Sequence, residues 1–218
     1  MTPAQRQRIL NQLDEARLLL EGILRNPDIA ARLSTFGVDK AETDAGESLY
    51  ATANDAVTGQ DRMQAEQKLA TATVETRTLE AYSVYTLVSE VMRAATSNDK
   101  TQLALLGITG KTPQSVATLL PRGKTLLDAV VAHPELASLL SRHGQDAAAL
   151  ATLKAVFDAL ADADAAQQSA KGRAQRATAI QTAALKELAL WVGKVKRLAR
   201  AAFRGDKQQL EKLGLTAR

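Results

Sequence analysis

Residues 4–110 and 111–217 read as one pattern written twice, in register at a constant offset of 107 residues and without a gap. Pro27-Asp28-Ile29-Ala30 returns as Pro134-Glu135-Leu136-Ala137. Leu33-Ser34 followed by Gly37 and Asp39 returns as Leu140-Ser141 followed by Gly144 and Asp146. Towards the far end of each copy, Arg93-Ala94-Ala95, Asp99-Lys100, Leu106-Gly107 and Thr109 return as Arg200-Ala201-Ala202, Asp206-Lys207, Leu213-Gly214 and Thr216. Roughly a quarter of all positions are identical, enough to hold one register along the chain. Whatever one copy folds into, the other is expected to repeat. The reading is an all-α fold: a tandem duplication of an approximately 107-residue antiparallel helical-bundle unit, with three main helices and two short ones per unit. The expected domains are 1–110 and 111–218, either separate or fused into one continuous bundle.

The residue usage points to helix throughout. Apolar residues make up 45%, aromatic residues only 3%, and there are five prolines. No segment alternates apolar and polar residues with the period of a strand. The absence of cysteine excludes disulfides, thiolate metal sites and a cysteine nucleophile. The N-terminal stretch leads into an amphipathic pattern rather than an apolar signal segment, and no apolar run approaches a bilayer span. The expectation is a soluble, cytoplasmic, bacterial protein. A net charge of +4 conceals an asymmetry: residues 1–110 carry 11 Lys/Arg against 15 Asp/Glu, residues 111–218 carry 17 against 9. Opposite charges could draw the copies together, within the chain or head-to-tail between chains. Drift of solvated surface after duplication is the plainer reading.

The elements follow from caps and stops. Thr2 as N-cap and Pro3 at N1 open a first helix to Arg25, with Ile9, Leu13, Ala16, Leu20 and Ile23 on one face. In the second copy Pro121 and Gly123 stand where Asp14 and Ala16 stood, which predicts a break near Leu120 and a restart towards Leu126. Asn26 and His133 are placed to cap a short helix that Gly37 and Gly144 terminate. Asp39 caps the next helix, with Glu42 positioned to complete a capping box. That helix is expected to end near Gly59, before a long helix over 61–97 and 168–204. An apolar stripe runs along the second copy of the long helix through Ile180, Ala184, Leu188, Trp191, Val195, Leu198 and Ala202. In the first copy the stripe is Ala81, Val84, Val88, Val91 and Ala95. A last short helix opens at Asp99 or Asp206 and closes at Gly107 or Gly214, with Ile108 or Leu215 completing a Schellman stop.

Candidate chemistry is sparse. Gly107-Ile108-Thr109-Gly110-Lys111-Thr112 resembles a phosphate loop in its last three residues only. Leu105 occupies the first-Gly position and no strand precedes it, so a linker explains it. Arg122-Gly123-Lys124-Thr125 fails in the same way at Thr118. His133 and His143 correspond to Asn26 and Phe36, suggesting a cap and a half-buried spot. His133 has no metal-binding partner three or four residues on, and Asp146, three residues after His143, matches the helix cap Asp39. The carboxylates Asp39, Glu42, Asp44 and Glu47, and Asp158, Asp162 and Asp164, match neither a di-iron bundle nor a calcium loop. They read as caps and solvated faces. Tyr50 pairs with Phe157 across the copies, and Tyr82 and Tyr85 share a helix face. Core packing is the default for these aromatics.

Lys194, Lys196, Arg197, Arg200, Arg204 and Lys207 form the strongest charge feature and the candidate interaction surface. The corresponding residues in the first copy are Leu87, Ser89, Glu90, Arg93, Ser97 and Lys100, so only two bases are shared. The expected function is a non-catalytic module for protein–protein binding or assembly, through a protein partner or self-association. The alternatives are a carrier of a small apolar ligand between helices, and nucleic-acid association through residues 186–207. No catalytic residue, cofactor or metal is implied.

Overall fold

Thr2, Asp39, Asp99 and Asp206, with the stops at Gly107 and Gly214, bound helices as anticipated above. The computed structural model describes residues 2–215, which form eight α-helices and no strand. They are α1 (Pro3–Arg25), α2 (Pro27–Ser34), α3 (Lys40–Ala95), α4 (Lys100–Leu105), α5 (Val116–Ala132), α6 (Pro134–Arg142), α7 (Ala147–Ala202) and α8 (Lys207–Lys212). The bounds of α3 and α4 recur at an offset of 107 residues as those of α7 and α8. Thr2 caps α1 reciprocally: its hydroxyl accepts from the Gln5 N–H, and the Gln5 side chain accepts from the Thr2 N–H. The stop after α4 is a Schellman motif, with Ile108 N–H donating to the Leu103 carbonyl and Gly107 N–H to Ala104. Leu215 and Gly214 repeat it after α8, and both glycines have positive φ.

Several expectations are corrected. No helix ends at Gly59 and none begins at 61 or 168: α3 and α7 each run unbroken for 56 residues. Each half of the sequence therefore has two main and two short helices, not three and two. Gly59 has open space around it, and a glycine inside a helix costs only about 1 kcal/mol, so burial of neighbours such as Ala53 and Gln60 carries the helix through. Asp162 and Asp164 likewise sit inside α7. Nor does the chain break at Leu120. α5 starts six residues later than the counterpart of Pro3, at a Ser115–Thr118 capping box, and continues through Pro121. The late start places the proline in the second turn, where it removes a single backbone hydrogen bond. Asn26 and His133 precede α2 and α6 without side-chain caps; the Asn26 amide turns back to the Gly22 carbonyl. The Asp39 carboxylate accepts from Glu42 N–H as expected, but the Glu42 side chain is engaged elsewhere. Ile180 is 61% exposed, so the apolar stripe begins after it.

The chain divides into two compact units, each drawing on both halves of the sequence. The first takes residues up to Gln64 and from Arg173 onward: α1, α2, residues 40–64 of α3, residues 173–202 of α7, and α8. The second is Ala65–Gly172, with residues 65–95 of α3, α4, α5, α6 and residues 147–172 of α7. The first core packs Leu13, Ala16, Leu19 and Ile23 of α1 with Leu188, Trp191, Val195 and Ala199 of α7. The second packs Leu119, Leu126 and Val130 of α5 with Ala81, Tyr85, Val88 and Met92 of α3 and Leu153, Phe157 and Leu160 of α7. Tyr85 and Phe157 meet edge-to-face with ring centroids 6.4 Å apart. Tyr82 does not join them and is 39% exposed.

Candidate interaction surfaces

The six cations singled out in the sequence divide into two sets. All lie in the first unit, five of them on or just after the last turns of α7 and Lys207 at the start of α8. The Lys194 ammonium donates to Glu42 Oε2 at 2.8 Å, and Lys196 is ion-paired with Glu15. Lys196 is half-buried, and that burial, reinforced by nearby Arg200, pushes its ammonium below the ordinary lysine range. Both pairs join an acid of the first copy to a base of the second. Part of the charge asymmetry is thus consumed inside this unit. Arg197, Arg200, Arg204 and Lys207 are exposed. The aromatic and aliphatic residues interleaved with them are core: Trp191 is 5%, Val195 0% and Phe203 8% exposed. The fold adds one cation that sequence spacing could not place there. Arg32 reaches the end of α7, where its Nε donates to the Ala202 carbonyl at 3.4 Å and its guanidinium lies 5.1 Å over the Phe36 ring.

The second unit holds a surface with the opposite chemistry. An apolar groove with a volume of about 700 Å³ lies between α5 and residues 150–161 of α7. Leu120, Pro121, Leu127 and Val130 form one wall, and Leu150, Ala151, Phe157 and Ala161 the other. Lys124, Asp128, Lys154 and Asp158 stand among them, and Lys154 and Asp158 pair at 2.5 Å. Val131, at the edge, is 84% exposed. Phe157, part of one wall, packs on Gly123 of α5. The Phe157 ring lies so close to the Gly123 backbone that a Cβ there would come within 1.9 Å of Cε1. The two residues that looked like damage to a helix, Pro121 and Gly123, thus shape a cleft. Sequence reasoning had located both residues but missed the cleft, because it exists only once α5 and α7 are paired.

The remaining candidates are spread apart. His133 Nδ1 lies 3.1 Å from Glu135 Oε1, and His143 is exposed at the end of α6 rather than half-buried as Phe36 had suggested. The exposed position follows from its place after the last turn, where its backbone N–H, not its ring, bonds the helix carbonyls. Asp39 caps α3, and Asp44 pairs with Lys40 at 2.6 Å. Among the described residues no three His, Asp or Glu side chains are gathered as metal ligands, and no helix is long and apolar enough to cross a membrane. The chain matches no known protein family, and neither a curated protein nor a solved structure is similar to it.

Proposed function

We propose that this chain is a non-catalytic binding module, built by duplication of a unit of about 107 residues and docking an amphipathic helix of a partner protein in the groove of its second unit. The observation that carries this reading is the groove itself. It is an open cleft with aliphatic and aromatic walls and charges of both signs at its rim. An apolar centre within a polar rim is the anatomy of a protein-binding surface. A helix presenting apolar side chains at i, i+3, i+4 and i+7 would fill the floor and set its flanking charges against Lys124 and Asp128. The recurrence of helix bounds and Schellman stops at one offset supports the duplication. The private residues Pro121 and Gly123 supply the specialised surface.

The volume of about 700 Å³ also suits a small apolar ligand, which is the second reading. The test is a titration of the protein with a display-selected amphipathic helical peptide, alongside V131E/A161E, in which two exposed positions place charge in the groove. The proposal expects saturable binding that the double variant loses at least tenfold. Failure to select any such peptide, or equal binding by the variant, would overturn it. Native mass spectrometry of the purified protein decides the second reading, by the presence or absence of a retained apolar molecule.

A further inference from the structure

The stretch from Gly107 to Thr112 is no Walker loop, yet it walls a second cavity in the same unit, separate from the groove and about 710 Å³ in volume. The opposite wall comes from α3 and α4. The charged residues lining it are Arg93, Lys100 and Lys111, with no carboxylate among them. Its floor is apolar: Leu103 is 8% and Ile108 1% exposed. Arg93 Nη2 donates to the Ile108 carbonyl at 3.0 Å, which fixes the guanidinium and leaves its other N–H groups for a ligand. Arg122 Nη1 donates to the Lys111 carbonyl at 2.6 Å, fastening the loop and adding a fourth cation beside it. Gly110 takes φ +77 where the loop turns. The acid next to Lys100 in sequence, Asp99, has its carboxylate committed to the α4 cap, accepting from Thr101 and Gln102 N–H at 2.8 and 3.2 Å.

Tyr82 and Arg93, which line the cavity, fall on one stripe of α3. The other copy then gives a direct contrast. The counterparts of Ser89 and Arg122, one offset away, are Lys196 and Glu15, which form an ion pair in the first unit. At the matched positions the second unit has Ser89 and Arg122, so no such ion pair forms there and Arg122 bonds the Lys111 carbonyl instead. Arg93 and Lys100 have basic counterparts in sequence, Arg200 and Lys207, whereas Lys111 answers to Ala4.

We propose that this cavity binds a small phosphate-bearing molecule. Arg93, Lys100 and Lys111 take the phosphate oxygens, and the apolar floor with the Tyr82 ring takes the organic part. Convergent guanidinium and ammonium donors are the chemistry that recognises phosphate, and a concave site of this volume suits a nucleotide-sized ligand. The inference is independent of the groove. Calorimetric titration of the full chain with ADP, inorganic pyrophosphate and adenosine tests it. Both phosphate compounds are expected to bind saturably, with adenosine at least tenfold weaker. K100Q/K111Q should weaken ADP by tenfold or more, while V131E/A161E leaves it unchanged. Lys100 and Lys111 are exposed, so this variant keeps the fold even if R93Q, which loses the bond to Ile108, does not. Absence of saturable binding by either phosphate compound, or unchanged affinity in K100Q/K111Q, would overturn the proposal. So would mixed-sequence single-stranded DNA that displaces ADP and binds more tightly, since that would make the site a nucleic-acid contact.

Discussion

Trp191 lies directly on the backbone of Gly46: a Cβ on that glycine would come within 2.1 Å of the indole Cζ2. The indole Nε1 also donates to the Glu42 carbonyl one turn earlier, at 3.1 Å. A helix residue of the first copy is thereby locked to one of the second, within one core. The residues one offset away are Leu153 and Val84, both in the second core, so glycine with tryptophan in one unit corresponds to leucine with valine in the other. Side-chain size is balanced within each compact unit rather than within each copy. Bundles formed from a single copy would set Gly46 with Val84 and Leu153 with Trp191, leaving a void in one and a clash in the other.

Gly46→Ala should therefore destabilise the first unit by about 1–3 kcal/mol, the cost of overpacking, despite alanine's better helix propensity. Trp191→Val alone should cost about 3 kcal/mol or more through the cavity left behind. Combining them should cost less than the sum, because the smaller side chain gives the new methyl room. Urea unfolding followed by far-UV circular dichroism measures all three. Additive losses would count against the packing relationship.

Glu15 and Lys196 supply a charge version of the same test. Lys196→Glu faces Glu15 with a like charge in a half-buried setting and should destabilise by about 1–2 kcal/mol. The exchange E15K/K196E should recover most of that loss. Urea unfolding read by fluorescence of Trp191, the only tryptophan, reports on the unit concerned. No recovery in the double variant would show that the pair contributes nothing to choosing this arrangement.

Two glycines inside helices should respond in opposite directions. Gly59 has open space around it, so Gly59→Ala should stabilise by about 0.5–1 kcal/mol through helix propensity alone. Gly123→Ala gains the same propensity but drives a methyl into the Phe157 ring, and should destabilise by about 1–3 kcal/mol. It should also reshape the groove, so peptide binding should fall with stability. Thermal unfolding by circular dichroism separates the two variants by sign.

Among the six cations of the basic segment, R197Q/R200Q/R204Q/K207Q should leave the melting temperature nearly unchanged, since exposed charges contribute little to stability. Lys194→Gln and Lys196→Gln should each lower it, because their ion pairs hold α7 against α1 and α3. If the exposed set also contacts nucleic acid, the quadruple variant should abolish binding to mixed-sequence duplex whose affinity falls steeply with salt. Electrophoretic mobility shifts at two ionic strengths measure that.

Much of the local structure was legible because it depends on neighbours in sequence. Thr2, Asp39, Asp99 and Asp206 mark helix starts, and the Gly107–Ile108 and Gly214–Leu215 stops repeat in the backbone hydrogen bonds. Gly59 and Pro121 do not end their helices, because burial of neighbours such as Ala53 and Gln60, and Leu119 and Leu126, outweighs the local penalty. The candidate sites were legible only in part. Lys194 and Lys196 are consumed by Glu42 and Glu15, residues about 150 and 180 positions away along the chain.

The sequence by itself determined that the chain is helical, where the caps and stops fall, and which residues recur at an offset of 107. Those properties follow from contacts within a few residues along the backbone. Only the tertiary structure decided which segments share a core. Residues matched at that offset carry similar apolar faces, so the hydrophobic pattern alone does not separate the possible pairings. Side-chain volume and charge distinguish them at Gly46 with Trp191 and at Glu15 with Lys196, and those act only when the helices are already in contact.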